Sequence, residues 1–427
     1  MLELQVIRAN PQFIKERLAI KNVAQPQLVD TILELDDRRK ALQQQVDSLL
    51  NQINTLSKEV GDLFKAGKKQ EAETLRQQSA TIKEQVSALE SEAKQTETLL
   101  QETLVQLPNL PNILVPPGKT PEDNEVVATH GKFPDLPMHA KPHWELAVQY
   151  NLINFELGTK ITGAGFPVYS GKGAKLQRAL INFFLNEATA AGYTETMPPH
   201  VVNEASAYAT GQLPDKEGQM YHVGIDNFYL IPTAEVPLTN LFRDEILKEE
   251  DLPVRICGYT PCFRREAGSY GKDVRGLNRL HQFDKVEIVQ IQHPDASYNT
   301  LDEMVQHVAG LLQKLQLPYR VVRLCGGDMS FASALTYDFE VYSAAQQRWL
   351  EVSSVSNFET FQANRLKLRF RDSQTKKNRL LHTLNGSALA LPRIVAALLE
   401  NNQTKNGIAI PEVLQPYTGF ATIGEEV

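Results

Sequence analysis

Tyr259 to Glu287 reads YTPCFRREAGSYGKDVRGLNRLHQFDKVE, and its spacing predicts two β-strands joined by a long loop bearing glycines and arginines. The first strand, Arg255 to Phe263, runs into Arg264-Arg265-Glu266. The second, around Leu280 to Ile291, carries His281, Phe283, Lys285, Val286, Glu287, Val289 and Ile291 in roughly the period-two pattern of a half-buried strand. Between them Gly268, Gly271 and Gly276 leave the backbone free to bend, while Lys272, Arg275 and Arg279 add positive charge. A hairpin with arginine at one strand end, and an aromatic ring and a carboxylate on the other, suits a nucleotide. Guanidinium pairs bidentately with phosphate or carboxylate, and a flat ring stacks on a base. A surface hairpin with an ordinary charged loop fits the same spacing, and on spacing alone it is slightly favoured.

The 427 residues exceed one typical core and predict about two or three domains. Charged residues at 22% and hydrophobic ones at 42% are ordinary for a soluble globular chain. A net charge of -7 argues against a protein that coats nucleic acid nonspecifically, so any RNA contact must come from local basic patches. Cys257, Cys262 and Cys325 form no CxxC pair, which fits a reducing cytosol and predicts neither disulfides nor a zinc site. The opening MLELQVIRANPQFIKERL lacks the apolar core of a signal peptide, and no stretch is long enough to span a bilayer. The expectation is a cytoplasmic protein with no membrane partner.

Outward from the hairpin, the N-terminal side predicts a short helix from Pro11 to Ala19, capped by Asn10. After Pro26 a heptad seam follows: Leu28, Ile32, Leu35, Arg39, Leu42, Val46, Leu49, Ile53, Leu56, Val60 and Leu63, with Arg39 its one polar member. Gly61 and Gly67 with Lys65, Lys68 and Lys69 read as a polar turn. The seam resumes at Leu75, Ile82, Val86, Leu89, Ala93, Leu100 and Leu104. This predicts an antiparallel coiled-coil hairpin over about residues 27–105, an arm of roughly 55–60 Å at ~1.5 Å per residue. Heptads more often dimerise, but here the central turn lets each helix satisfy the other's seam. From Asp30 to Glu102 acids outnumber bases, and only the tip (Lys65, Lys68, Lys69, Arg76) is locally basic.

Residues 1–107 thus form an N-terminal domain, the Pro-rich 108–142 a connector, and 143–427 a body starting near His143-Trp144-Glu145. Gly158 to Gly173 is rich in glycine but lacks the G-K-[ST] of a phosphate-binding loop. A helix is expected from Ala174 to Ala191. Tyr229 to Pro237 reads as a strand entering a polar turn, where Thr233 and Glu235 also suit a helix N-cap. Strands are expected at Tyr319 to Leu324, Asp338 to Val341 and Trp349 to Ser356. The last of these presents Glu351, Ser353 and Ser354, hard-oxygen donors that suit Mg²⁺ beside a triphosphate. The basic run Arg365, Lys367, Arg369, Arg371, Lys376, Lys377 and Arg379 reads mainly as a solvated loop, from which a few side chains could track RNA phosphates. His382 to Arg393 reads as a strand, a glycine turn and a helix continuing through Asn401, with Pro392 tolerable near the helix start.

F-R-x-E, a Gly/Arg loop and then H-Q-F-x-K-x-E resemble motif 2 of the class II aminoacyl-tRNA synthetases, specifically the seryl-tRNA synthetases. G-x-G-A-x-L-x-R-A-L with Arg178 resembles motif 1, and HTLNGSALALPR resembles motif 3. The similarity runs from the N-terminal arm to Phe420. It implies an α+β fold: an antiparallel β-sheet catalytic domain flanked by helices, dimerising through motif 1. It implies ATP-dependent activation of L-serine and transfer to tRNA(Ser), and to tRNA(Sec), with the arm reaching the long variable arm of the tRNA. By resemblance Arg264 and Arg393 are the catalytic residues. Arg264 lies on the α-phosphate and serine carboxylate, and Arg393 is directed at the γ-phosphate. Arg265, Glu266, Phe283, Glu351, Val352, Ser353 and Ser354 complete the ATP site, with Phe283 stacking on adenine and Glu266 at its edge. Thr233, Ala234, Glu235, Glu287 and Ser387 join Arg264 around serine. Glu351 and Ser354 hold Mg²⁺, and no zinc is expected. Members of the family often have Cys where this chain has Val355, a position outside the expected ligands. Two rival readings remain: a relative that charges a carrier protein, which the long arm argues against, and a coiled-coil structural protein with an inert globular end.

Overall fold

The computed structural model describes residues 1–424 apart from 139, 216 and 267–274. Gly268, Gly271 and Lys272 of the hairpin loop therefore lie outside the described residues. The chain divides into two compact units, residues 1–19 with 23–108, and residues 20–22 with 109–427.

The first unit is helical. Helix α1 (Leu4–Ala9) precedes α2 (Pro11–Ile20), and two long helices follow, α3 (Leu28–Lys65) and α4 (Lys69–Leu104). Asn10 Oδ1 accepts from the Phe13 amide at 3.1 Å and caps α2. Helix α1 was not foreseen, since six residues carry too little periodicity to announce a helix. Helices α3 and α4 pack on each other as the heptads require, with Ile32, Leu42, Val46, Ala72, Val86 and Leu100 buried. The turn falls later than the glycines suggested. Gly61 lies inside α3, and only Ala66, Gly67 (φ +78°) and Lys68 leave the helix. The polar seam residue Arg39 is explained by its partners, Asp36 at 3.0 Å and Glu97 of α4 at 3.3 Å. Asp36 itself is fully buried and also meets Arg8 of α1 and Lys40. Burial pushes its carboxyl up, but hydrogen bonds from Lys40, Arg8 and Arg39 outweigh that and hold it down at about 2.

The second unit is built on an eight-stranded sheet. Its strands are β1 (Glu125–His130), β2 (Thr194–Glu195), β3 (Val254–Phe263), β4 (Gln282–Gln292), β5 (Tyr319–Arg323), β6 (Leu335–Ser343), β7 (Arg348–Asn357) and β8 (His382–Ala390), in spatial order β1-β5-β6-β7-β8-β4-β3-β2. Every neighbouring pair is antiparallel except β2 with β3. The Pro-rich stretch supplies edge strand β1, whose short run between prolines gave no alternation to read. One face of the sheet is closed by α5 (His143–Gln149), α6 (Gly171–Ala190), α8 (Ser297–Lys314) and α10 (Leu391–Asn401), with α7 (Glu235–Asn240) and α9 (Thr360–Leu366) elsewhere in the unit. Phe183 and Phe184 of α6, Met304 and Val308 of α8, and Ile394 and Leu398 of α10 share a core with Val286, Ile288, Phe339 and Val355. Truncating either phenylalanine to alanine would cost about 3–5 kcal/mol.

Two expectations are corrected here. Gly386 makes no turn, because β8 runs straight through it. A Cβ there would approach the Val355 side chain at 3.1 Å, so the glycine serves close strand packing. The basic run is a helix end and a hairpin instead of a loop. Arg369–Arg371 and Asn378–Leu380 pair with each other, and Ile246–Lys248 joins the first in parallel. Buried Leu368, Phe370 and Leu381 give this small sheet a core, and Arg365 is itself buried, donating to the carbonyls of Tyr208 and Leu213 at 3.0 Å.

Candidate active site

The site forms on the sheet face opposite the large helices, and strand alternation decides what it contains. Along β4, Val286 and Ile288 enter the main core, so alternation sends Lys285 and Glu287 to the other face, in step with Phe283, which is half-buried and also borders that core. Lys285 and Glu287 are both buried and ion-paired to each other, and Glu287 also accepts the Thr233 hydroxyl at 3.2 Å. Thr233 Oγ1 in turn accepts from the Glu235 amide at 3.2 Å, so the polar turn before α7 is held from both ends. Ala234 is buried with Leu238, Ile256 and Val289, which leaves its main chain as the group available to a ligand.

Glu235 receives Gln362 Nε2 at 2.7 Å, and Gln362 Oε1 accepts the Thr383 hydroxyl at 2.7 Å, fixing the amide's direction. Burial, and then the charge of Glu287, push the Glu235 carboxyl up to about 7. Two carboxylates against one lysine leave this corner ready for a second cation. Ser387, on β8, pairs with Glu287 in register and lends its carbonyl to Ser353 Oγ at 2.6 Å.

Arg264 leaves the end of β3, where its amide donates to the His281 carbonyl at 2.9 Å and its Nε to the Pro232 carbonyl at 3.3 Å. Its guanidinium lies 5.2 Å over the Phe283 ring, so a stacked base would use the ring face that Arg264 leaves. Arg265 is exposed, with its amide donating to Gln219 O at 2.9 Å. Glu266 is ion-paired to Arg279 across the mouth of the hairpin.

At the other end, Arg393 donates through Nε to the Asn278 carbonyl at 3.0 Å and through Nη1 to the Glu351 carbonyl at 2.7 Å. Two carbonyls thus set the plane of its guanidinium. Glu351 and Ser354 are three apart on β7, a spacing that a regular strand sends to opposite faces. The register with β6 slips by one residue between Ser353 and Glu351, a bulge that returns both to one side. Val352 is buried in the core, so any contact it makes with a nucleotide is through its main chain. Opposite Ser354 stands Asp338, whose Oδ1 is buried without a hydrogen-bond partner. Burial and the Glu351 charge raise its pKa well above the usual carboxylate range.

Sequence reasoning passed over Lys285, Gln362, Thr383 and Asp338 as site residues. Lys285 was within reach, since it alternates with Phe283 and Glu287. Gln362 meets Glu235 from 127 residues away, and no local pattern announces that.

Residues 221–402 match the class II tRNA synthetase core domain (G, H, P, S and T), and residues 1–111 match the seryl-tRNA synthetase N-terminal domain. A serine–tRNA ligase of Salinibacter ruber is 54% identical over the whole of both chains. The chain belongs to the seryl-tRNA synthetase family. Another family member, a serine–tRNA ligase of Hydrogenobaculum sp., is 48% identical over 98% of this chain and 99% of its own. Among solved structures, seryl-tRNA synthetase from Pyrococcus horikoshii complexed with ATP superposes with a TM-score of 0.94 at 33% identity, covering all of both chains. The cytoplasmic enzyme of Naegleria fowleri in complex with AMP gives 0.89 at 26%, covering 100% of this chain and 99% of that one. No described helix is long and apolar enough to cross a membrane.

Proposed function

We infer that this chain activates L-serine with ATP to seryl-adenylate and transfers the seryl group to the 3′ end of tRNA(Ser). The observation that carries the serine reading is the buried Glu287, fixed by Lys285 and Thr233, with Glu235 near enough to feel its charge. Such a pocket has carboxylates for an ammonium and a fixed polar edge for a hydroxyl. An analogue without the hydroxyl leaves that edge unpaired, which is worth about 10⁴-fold in discrimination.

In the first step a serine carboxylate oxygen attacks the α-phosphorus. The new O–P bond forms as the bond to the β-phosphate breaks, and pyrophosphate leaves. The substrate carboxylate is already ionised, so no base or covalent nucleophile is required, and catalysis is orientation plus charge neutralisation. Arg264 bridges the carboxylate and the α-phosphate. Arg393, its plane preset by two carbonyls, receives the outer phosphates. The adenine lies against Phe283, with Glu266 and Arg265 at that end and the main chain of Val352 and Ser353 alongside. Thr233, Ala234, Glu235, Glu287 and Ser387 surround serine. In the second step a terminal ribose hydroxyl of the tRNA displaces AMP from the acyl carbon.

Magnesium fits the donors present. The bulge in β7 collects Glu351 and Ser354 on one side, and the unpartnered Asp338 oxygen faces the same strand. No group of three His, Cys, Asp or Glu that could hold a metal occurs among the described residues, so such an ion would draw further oxygens from the phosphates. When bound it would neutralise triphosphate charge, held by Glu351 and Ser354. The assembly expected of the family is a cytoplasmic homodimer packed through α6, and tRNA(Sec) is a second expected acceptor.

The test is ATP–pyrophosphate exchange with each amino acid in turn, followed by charging of total tRNA. Serine alone should drive exchange, and the charged fraction should be tRNA(Ser) with tRNA(Sec). Exchange driven equally by alanine or threonine would overturn the assignment.

A further inference from the structure

A second polar cluster, outside the substrate-facing residues, ties helix α5 to the returning limb of the hairpin. His143, at the start of α5, is fully buried. Its Nδ1–H donates to Glu400 Oε1 of α10 at 2.7 Å, and its Nε2 accepts the Leu277 amide at 2.8 Å. An imidazole that accepts at one nitrogen and donates from the other is neutral and fixed in one tautomer. Glu400 is saturated. Oε1 also receives the His143 amide and Gln346 Nε2, both at 2.9 Å, and Oε2 receives the Ser343 hydroxyl. Gln346 Oε1 accepts from the Asn278 side chain at 3.1 Å. The neighbouring Trp144 lies under the Arg275 guanidinium at 5.4 Å. Gly276, between these anchored residues, has φ +66°, and a Cβ there would stand 2.2 Å from His143 Nε2.

The end of this chain is Arg393. The Asn278 carbonyl that accepts its Nε belongs to the residue after Leu277, whose amide the histidine holds. None of the residues in the cluster is among those assigned to serine, adenine or the α-phosphate. We propose that His143 is a positioning residue for the first step: it anchors residues 275–278 so that the Asn278 carbonyl aims Arg393 at the outer phosphates of ATP. The proposal rests on the reading of Arg393 as a ligand of the β- and γ-phosphates.

The geometry separates ATP from ligands that end at the α-phosphate. His143→Asn keeps a group near Nδ1 but removes the acceptor for Leu277, whereas His143→Gln restores an acceptor near the Nε2 position. Equilibrium binding of ATP, and of a non-hydrolysable seryl-adenylate analogue, is measured on the full-length protein for both variants and for Arg393→Ala. His143→Asn should weaken ATP about tenfold, the scale of one buried amide left unpaired. It should leave the adenylate analogue unchanged, and His143→Gln should recover most of the loss. Equal weakening of both ligands would mean a merely structural role and would overturn the proposal, as would no weakening of ATP. If Arg393→Ala fails to weaken ATP selectively, the phosphate reading of Arg393 falls and the proposal with it. If Arg393→Ala is selective and His143→Asn is not, the proposal alone falls. Should His143→Asn not fold, Glu400→Gln keeps the ring but loosens its anchor. It must then show the same selectivity at smaller amplitude, and its absence overturns the proposal.

Discussion

Asp36 of the arm and the Glu235–Glu287 pair of the catalytic unit are carboxylates that the fold treats in opposite ways. In the arm, Asp36 is surrounded by Arg8, Arg39 and Lys40, so its charge is fully answered within the folded chain. In the catalytic unit, Glu235 and Glu287 share one lysine, and the first of them is pushed up to about 7. A buried charge that is compensated holds an element in place. One left out of balance marks a candidate ligand site. Along the arm's exposed tip the same distinction appears, since Lys65, Lys68 and Arg76 each lie within 3.4 Å of an acid three residues away. The tip therefore carries little surplus positive charge, and RNA contact there would depend on shape and on rearranged pairs as much as on charge.

The largest expected effect that sharpens this contrast is at Arg264. Arg264→Lys keeps the charge but loses the planar fork that spans two anions. Pyrophosphate exchange should fall about 10³-fold, the scale of removing a group that acts on developing charge; activity within a few-fold of the parent would break the assignment.

Next in size is the pH response of serine binding. Glu235 must be ionised to receive an ammonium, and its pKa in the empty site is about 7. Since the pKa is raised, the proton is present below that value and absent above it. The KM for serine should rise about tenfold between pH 8 and pH 6, the cost of ionising a group one unit above the ambient pH. Glu235→Gln should bind serine weakly at both pH values and flatten the profile. A steep profile in that variant would place the titrating group elsewhere.

The remaining effect concerns the arm. Asp36 is depressed to about 2, so its contribution to stability is present above the unfolded value near 4 and is lost as pH falls toward 2. Asp36→Asn should destabilise the helical unit by about 1–3 kcal/mol near neutrality, because its partners remain partly solvated. Thermal melts of parent and variant should converge near pH 2, and a constant gap down to that pH would mean that packing, not charge, is lost.

How readily the two units could be read from sequence follows the same division. The arm's order is local: Leu28 to Leu63 and Leu75 to Leu104 repeat one pattern on either side of a polar turn, so the hairpin was legible although the turn itself was placed too early. Asp36 was not, because its partner Arg8 comes from a helix too short to announce itself. In the catalytic unit, β3 and β4 were legible within two residues at each end, β4 from its alternation. The bulge that brings Glu351 and Ser354 to one side was not legible, since a strand's spacing predicts opposite faces for them. Gln362, Thr383 and the His143–Glu400 pair are joined only by the sheet's long-range order, with partners 21 to 257 residues apart. The resemblance to a known family supplied the residues proposed to face the substrates, and only the fold reveals what holds them.

A division of labour is proposed, in which the second unit activates serine and the first selects the RNA. All residues assigned to ATP and serine lie between Thr233 and Arg393, and the helical hairpin satisfies its own seam. Replacing residues 30–104 with a short Gly/Ser linker and measuring two activities on that one variant tests the claim directly. Serine-dependent pyrophosphate exchange should stay within a few-fold of the parent. Transfer to tRNA(Ser) should fall by about two orders of magnitude, the scale of a distant contact that raises effective concentration. Near-normal charging would contradict the account by placing RNA selection on the catalytic unit, and loss of both activities would contradict it by making the arm a support for the catalytic fold.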